Sequence, residues 1–111
     1  MRKFNRKKGQ RKIFMRSLAD NLISRGTMTT TVARAKETRP MVERLLSIAK
    51  KQDLASLRKL YSALPKASAE KLYYDIAPQY TKRKGGYLRI VRLPLTRKRD
   101  GAETARIEFV K

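Results

Sequence analysis

Lysine and arginine residues in two blocks of the chain are the residues whose type and spacing indicate a definite chemistry. The first block covers residues 1–16 and the second covers residues 82–99, and neither contains an acidic residue. A guanidinium group can bind a phosphate through two hydrogen bonds or stack on a base, whereas an ammonium group acts mainly as a point charge. The two blocks therefore predict a surface that binds a ligand rich in phosphate.

The charge of the whole chain indicates the same kind of ligand. The 111 residues include 29 Lys and Arg against 9 Asp and Glu, which gives a formal net charge of +20. Such a charge repels itself unless a polyanion neutralises it, and nucleic acid is the commonest dense polyanion in a cell. Proteins that bind single strands without regard to sequence usually offer a platform of aromatic residues. Aromatic residues make up only 7% here, with no Trp, so we expect recognition of the shape and backbone of folded RNA.

Residue types that most enzymes use are missing from the chain. Cys and His are both absent, which removes thiol nucleophiles, imidazole bases and the usual ligands of zinc. The carboxylates have no paired spacing, and the sequence contains neither a phosphate-binding GKS/T loop nor a nucleophile elbow. No apolar run approaches the roughly 20 residues that span a bilayer. We therefore predict a protein that is not an enzyme, with no cofactor, no metal, no small-molecule substrate and no membrane partner.

Each of the glycine and tyrosine residues around the second basic block could have either a functional or a structural role. Gly85 and Gly86 could let the backbone approach a phosphate closely, or could be needed for positive φ in a turn. Tyr80 and Tyr87 flank this turn and could stack on exposed bases. Tyr87 begins an expected strand and fits the core better, so Tyr80 is the stronger candidate for stacking. Tyr61 is expected in the core.

The charge pattern divides the chain into a basic N-terminal arm, residues 1–12, and a single domain, residues 13–111. In the domain, Phe14, Leu18 and Leu22 recur at helical spacing, and Gly26 is expected to end this first helix. The β-branched residues 27–32 predict a short strand, after which Thr31 could cap a second helix.

Three further helices and two strands are predicted beyond this point. Pro40 should kink or break the second helix. Asp53 is the expected N-cap of a third helix that stops at Pro65, and Ser68 is expected to start a fourth, which ends before Pro78. The expected apolar faces of these helices are Val42, Leu45, Leu46, Ala49, Leu54, Leu57, Tyr61, Leu64, Leu72, Tyr73 and Ile76.

The remaining segments, residues 87–93 and 105–110, have the pattern of two strands that pair antiparallel. The predicted fold class is therefore α+β, in the order helix, short strand, three helices, two antiparallel strands. The helices are expected to pack on one face of a small mixed sheet, with the basic arm outside it.

Four stretches of the sequence carry a recognisable combination of residues. They are Arg16, Leu18, Leu22 and Ile23; Thr30, Thr31, Ala33, Ala35, Lys36, Glu37, Arg39 and Pro40; Glu43, Leu45, Ala49 and Lys50; and Gly85, Gly86, Tyr87, Arg89 and Ile90. Together they resemble the bacterial large-subunit ribosomal protein seventeen family over nearly the whole chain. The arm departs from the family pattern, because it is several residues shorter and lacks the histidine that commonly precedes the first helix.

This resemblance implies a structural constituent of the large ribosomal subunit that binds and stabilises large-subunit ribosomal RNA and supports translation. It implies neighbouring large-subunit ribosomal proteins as partners, and a place on the solvent side of the subunit near the polypeptide exit. The expected location is the cytoplasm, within the ribosome, and an organellar ribosome stays open. The residues alone also leave open a basic RNA- or DNA-binding protein that acts off the ribosome.

The predicted RNA-binding residues are Arg2, Lys3, Arg6, Lys7, Lys8, Arg11, Lys12, Arg16, Lys36, Arg39, Tyr80, Lys82, Arg83, Lys84, Gly85, Gly86, Arg89, Arg92, Arg97, Lys98 and Arg99.

Overall fold

The element order is the one that the hydrophobic pattern predicts. A computed structural model describes residues 7–96 and 101–110 of the chain. The described elements are α1 (Lys8–Arg25), β1 (Thr27–Thr31), α2 (Val32–Ala49), α3 (Leu54–Ala63), α4 (Lys66–Glu70), a π-helix (Lys71–Ile76), a 3₁₀-helix (Ala77–Tyr80), β2 (Leu88–Thr96) and β3 (Glu103–Phe109). The π- and 3₁₀-helices continue α4 without a break, so the three form the fourth helical segment.

The three strands form one sheet with the order β1-β3-β2. Ile107 in the central strand β3 lies opposite Met28 of β1 on one side and opposite Ile90 of β2 on the other. Both pairings are antiparallel. The prediction of a mixed sheet is therefore wrong for the described strands: β1 and β2 run in the same direction, but β3 lies between them.

The helices cover one face of this sheet, as predicted. α2 packs against all three strands and also against α1 and α3. Leu22, Leu46, Leu60 and Ile107 are completely buried between these elements, and full burial of such a side chain stabilises the fold by about 1.5–3 kcal/mol. The opposite face of the sheet carries the side chains that alternate with the core residues of each strand.

Local capping interactions define where the helices begin and end. Gly26 adopts a φ of 81° and its N–H donates to the carbonyl of Leu22, which closes α1. The Thr31 side chain accepts a hydrogen bond from the Arg34 N–H at the start of α2. The Asp53 carboxylate accepts one from the Ser56 N–H at the start of α3. The three predicted helix boundaries are confirmed.

Several details of the helices differ from the prediction. α2 continues through Pro40 without the predicted break, because buried residues on both sides of the proline hold the helix in the core; the alternative, a kink at Pro40, stays a prediction. α4 begins at Lys66, and Ser68 is a buried residue inside it whose hydroxyl donates to Asp20 of α1. Pro78 lies in the 3₁₀-helix and does not follow the last helical turn.

α1 begins at Lys8, which lies inside the range 1–12 predicted to be an arm. Residues 1–6 lie outside the described residues, so the boundary between arm and domain stays a prediction.

Candidate nucleic-acid interface

The predicted RNA-binding residues that the structure describes lie on five elements, the first of which is the 3₁₀-helix that ends at Tyr80. Lys7, Lys8, Arg11, Lys12 and Arg16 lie at the start of α1 and along it; Lys36 and Arg39 lie on α2; Lys82, Arg83, Lys84, Gly85 and Gly86 lie in the segment 81–87, which we term the basic loop; Arg89 and Arg92 lie on β2. Arg2, Lys3, Arg6, Arg97, Lys98 and Arg99 lie outside the described residues.

Hydrogen bonds within the basic loop define its backbone conformation. The Arg83 N–H donates to the Tyr80 carbonyl at 3.0 Å, and the Arg83 Nε donates to the Gly85 carbonyl at 3.2 Å. Gly86 has a φ of 63°, which a residue with a side chain rarely adopts. This conformation supports the turn as the reason for Gly86. Lys82, Arg83 and Lys84 are all exposed along this loop.

Lys50, which directly follows the last residue of α2, supports the basic loop. Its Nζ donates to the Tyr87 hydroxyl at 2.9 Å and to the Arg83 carbonyl, and lies 4.9 Å from the centroid of the Tyr87 ring. Tyr87 is only 2% exposed. Lys50 thus joins a cation–π contact to two hydrogen bonds. The sequence reasoning missed this role, because nothing in the pattern around Lys50 indicates a partner more than 30 residues away.

Tyr80 belongs to the core, so its prediction as a base-stacking residue is wrong. The side chain is 6% exposed, and its ring packs against those of Tyr87 and Phe109. Its hydroxyl donates to the Val110 carbonyl. Burial raises the pKa of this hydroxyl, an effect that the nearby charge of Arg83 opposes. The expectation that Tyr87 lies in the core is confirmed.

Arg16 also has a partner inside the domain. Its guanidinium donates to the carbonyls of Ser62 and Ala63 at the end of α3, where the last carbonyls of a helix lack partners within the helix. This contact gives Arg16 a structural role within the domain that does not require RNA. We therefore do not include Arg16 in the interface.

Three of the predicted arginines form ion pairs on the surface. Arg39 pairs with Glu43 at 3.3 Å, Arg89 with Glu108 at 3.0 Å, and Arg92 with Glu103 at 3.5 Å. Exposed pairs of this kind contribute at most about 1 kcal/mol to stability, so their main effect is to orient the guanidinium groups. By contrast, Lys36, Lys82 and Lys84 form no ion pair with any carboxylate in the described part of the chain.

Two shallow clefts bring basic residues of different elements together. Lys36 and Arg39 of α2 share a cleft with Ile90 of β2, which places them beside the strand that carries Arg89. Lys12 of α1 shares another cleft with Arg44 of α2. Arg44 was not predicted, because it lies in a helix whose acidic and basic residues alternate and no charge block marks it.

Glu43 connects this basic surface to the core. Its Oε1 accepts a hydrogen bond from the Leu88 N–H at 3.3 Å and another from the Nε of Arg39. The first residue of β2 is thereby attached to α2, and the strand leaves the basic loop in a defined direction.

The described residues contain neither a cluster of metal ligands nor a helix suited to a membrane. Across residues 7–96 and 101–110, no three Asp or Glu side chains come close enough together to hold a metal ion. In the same ranges, no helix is both long and apolar enough to cross a membrane.

Comparison with known proteins identifies the family. The family model described as ribosomal protein L17 matches residues 14–110. The chain belongs to the ribosomal protein L17 family. This membership confirms the resemblance seen in the sequence. It makes the chain a structural component of the ribosome and confirms the prediction that it is not an enzyme.

Relatives in the ribosomal protein L17 family align with nearly the full chain. The large ribosomal subunit protein bL17 of Hydrogenobaculum sp. is 47% identical over 109 residues, which cover 97% of this chain and 92% of that protein. The protein of the same name from Exiguobacterium sp. is 41% identical and aligns over 97% of both chains. The one from Clostridioides difficile is 40% identical, over 98% of this chain and 96% of that protein.

Proposed function

We propose that the chain is a structural constituent of the large ribosomal subunit that binds and stabilises large-subunit ribosomal RNA through its basic arm and loops, and so supports translation. The relatives named above are large-subunit proteins, which supports this subunit over a role off the ribosome. Neighbouring large-subunit proteins are the other proposed partners. The proposed location is the ribosome of the cytoplasm.

The basic loop is the observation that carries the RNA-binding proposal. It presents Lys82, Arg83 and Lys84 as three consecutive exposed cations, and its backbone is held by Lys50 and by the turn at Gly86. A loop that is already ordered loses less conformational entropy when it binds. Its cations can therefore neutralise phosphates and release the counterions that surround the RNA.

The contribution of the loop can be measured by removing charge without changing the backbone. The double variant Lys82→Gln/Lys84→Gln should weaken binding to folded large-subunit ribosomal RNA. The slope of log K against log salt should become shallower by about 1.4–1.8, the change expected for two phosphate contacts. Filter-binding titrations at several salt concentrations give both quantities.

A matched control separates a site from general charge attraction. Arg58→Gln/Lys59→Gln removes two exposed cations from α3, away from the basic loop, and should change the slope much less. Equal losses in the two double variants would mean that the net charge alone attracts RNA, and the loop would then not be a binding site.

The ribosomal assignment has a separate test. After a moderate salt wash, the full-length chain should sediment with large ribosomal subunits. Release into the supernatant together with bound DNA or free RNA would favour the alternative of a nucleic-acid-binding protein that acts off the ribosome.

A further inference from the structure

The face of the sheet opposite the helices, which we term the open sheet face, presents mainly polar side chains in regular rows. In the strand register, Thr27, Glu108 and Arg89 form one row across the three strands. Thr29, Arg106 and the half-buried Val91 form the next row. The side chains of Thr27, Thr29, Arg89 and Arg106 are exposed, whereas Glu108 is half-buried.

Glu108 holds both arginines of this face at the same time. Its Oε1 accepts a hydrogen bond from Nε of Arg89 at 3.1 Å and lies 3.0 Å from Nη2 of the same side chain. Its Oε2 lies 3.4 Å from Nε of Arg106. The glutamate side chain is 21% exposed, whereas the two arginine side chains are 55% and 46% exposed. The carboxylate thus lies beneath two guanidinium groups that face solvent.

This geometry leaves hydrogen-bond donors directed away from the sheet. A guanidinium group has five N–H donors in a rigid plane. Arg89 donates from its Nε to Glu108 and directs its Nη2 toward the same oxygen, and Arg106 approaches this carboxylate with its Nε. Both groups therefore retain Nη donors for an outside acceptor. Two arginines around one carboxylate also leave the cluster with a net positive charge.

We propose that the open sheet face binds the sugar–phosphate backbone of folded RNA, with Arg89 and Arg106 contacting phosphate and Glu108 acting as a positioning residue. The inference rests on the proposed function and extends it to a second surface, next to the basic loop in sequence through β2. Charge complementarity identifies the ligand: the exposed donors are two guanidinium groups and the Thr29 hydroxyl, which are common partners of phosphate oxygens. The Thr27 hydroxyl already donates to the Ile107 carbonyl.

Glu108→Gln should change the affinity for RNA in the direction opposite to the one expected from net charge alone. Glu108→Gln raises the net charge by one unit, so an unspecific attraction for RNA would strengthen. If Glu108 holds the two arginines in place, the same variant should instead weaken binding to large-subunit ribosomal RNA by about three- to tenfold. Arg106→Gln should weaken it by about tenfold, the loss expected for one charge-assisted contact.

Asp75→Asn is the matched control, because Asp75 is an exposed carboxylate of the π-helix, outside the sheet, and its replacement raises the net charge by the same one unit. This variant should leave the affinity unchanged or raise it. In the Arg106→Gln background, the further loss caused by Glu108→Gln should become smaller, since one of the two positioned arginines is then absent. Thermal unfolding of each variant monitors the fold, and the Arg106→Gln result stands alone if Glu108→Gln does not fold.

The outcomes separate this inference from the proposed function. Binding by the wild-type chain with a steep salt dependence, together with Glu108→Gln behaving like Asp75→Asn and Arg106→Gln binding normally, would overturn the role of the open sheet face and leave the ribosomal function intact. Failure of the wild-type chain to bind ribosomal RNA would overturn both.

Discussion

The Arg16 Nε in α1 donates a hydrogen bond of 3.0 Å to the carbonyl oxygen of Ala63, the last residue of α3. The two residues are 47 positions apart in the chain. A second bond, from Nη2 to the Ser62 carbonyl at 3.3 Å, engages another of the terminal carbonyls. A positive charge at this end of a helix is also favourable for the helix dipole. The contact connects the first helix to the third.

Replacement of this arginine should lower stability more than it lowers RNA affinity. We expect Arg16→Gln to reduce the free energy of unfolding by about 1 kcal/mol, because carbonyls at the end of α3 lose their donors. Urea denaturation measures this change. Lys12→Gln on the same helix should leave stability within about 0.5 kcal/mol. If Arg16→Gln kept full stability and lost RNA affinity, Arg16 would return to the interface.

Lys50→Met should loosen the basic loop. The variant keeps a long side chain but removes the donor to the Tyr87 hydroxyl and the Arg83 carbonyl, so we expect a loss of about 1 kcal/mol in stability. The amide of Arg83, which bonds to the Tyr80 carbonyl, should exchange its hydrogen faster with solvent. Lys51→Met, at the exposed neighbouring position, is the control. Identical exchange in both variants would contradict a supporting role for Lys50.

Tyr80→Phe tests the assignment of this ring to the core. The change removes the hydroxyl that donates to the Val110 carbonyl, and it should cost about 1 kcal/mol in the free energy of unfolding. Affinity for ribosomal RNA should stay unchanged, because the ring is buried. Tyr74→Phe, at a 58% exposed position, controls for the loss of a hydroxyl. A drop in affinity without a drop in stability would revive stacking of Tyr80 on a base.

Asp53 gives the fold a dependence on acidic pH. Hydrogen bonds from the hydroxyl and the backbone N–H of Ser56 lower the pKa of this carboxyl below its ordinary value of 3.8. Because the pKa is lower in the folded chain, the contribution of Asp53 is complete above its ordinary pKa and is lost as the pH falls through the lowered value.

Asp53→Asn isolates this effect, since asparagine still caps a helix but does not titrate. Over the acidic range, the free energy of unfolding of the wild-type chain should fall more steeply than that of the variant. Urea titrations between about pH 5 and pH 2 cover the range in which a paired aspartate titrates. Parallel curves for the two chains would show that the cap does not depend on the charge of Asp53.

The family resemblance and the local structure were both accessible from the sequence. Gly26, Thr31 and Asp53 set helix ends through bonds to residues three or four positions away, so local patterns were sufficient to predict them. The element order followed from the hydrophobic period. The face of α3 was predicted less well: Leu54 and Tyr61 are exposed, because Leu57 and Leu60 determine which side of this short helix meets the core.

By itself, the sequence determined the chemistry of the surface, since a net charge of +20 and two blocks without acidic residues persist in any fold. Only the tertiary structure decided which basic residues support the domain and which face outward. Arg16 and Lys50 find carbonyl acceptors on distant segments, and Glu108 holds Arg89 and Arg106 across neighbouring strands. These partners meet only when the chain folds, because hydrogen bonds and burial depend on distance in space, which spacing along the sequence does not reveal.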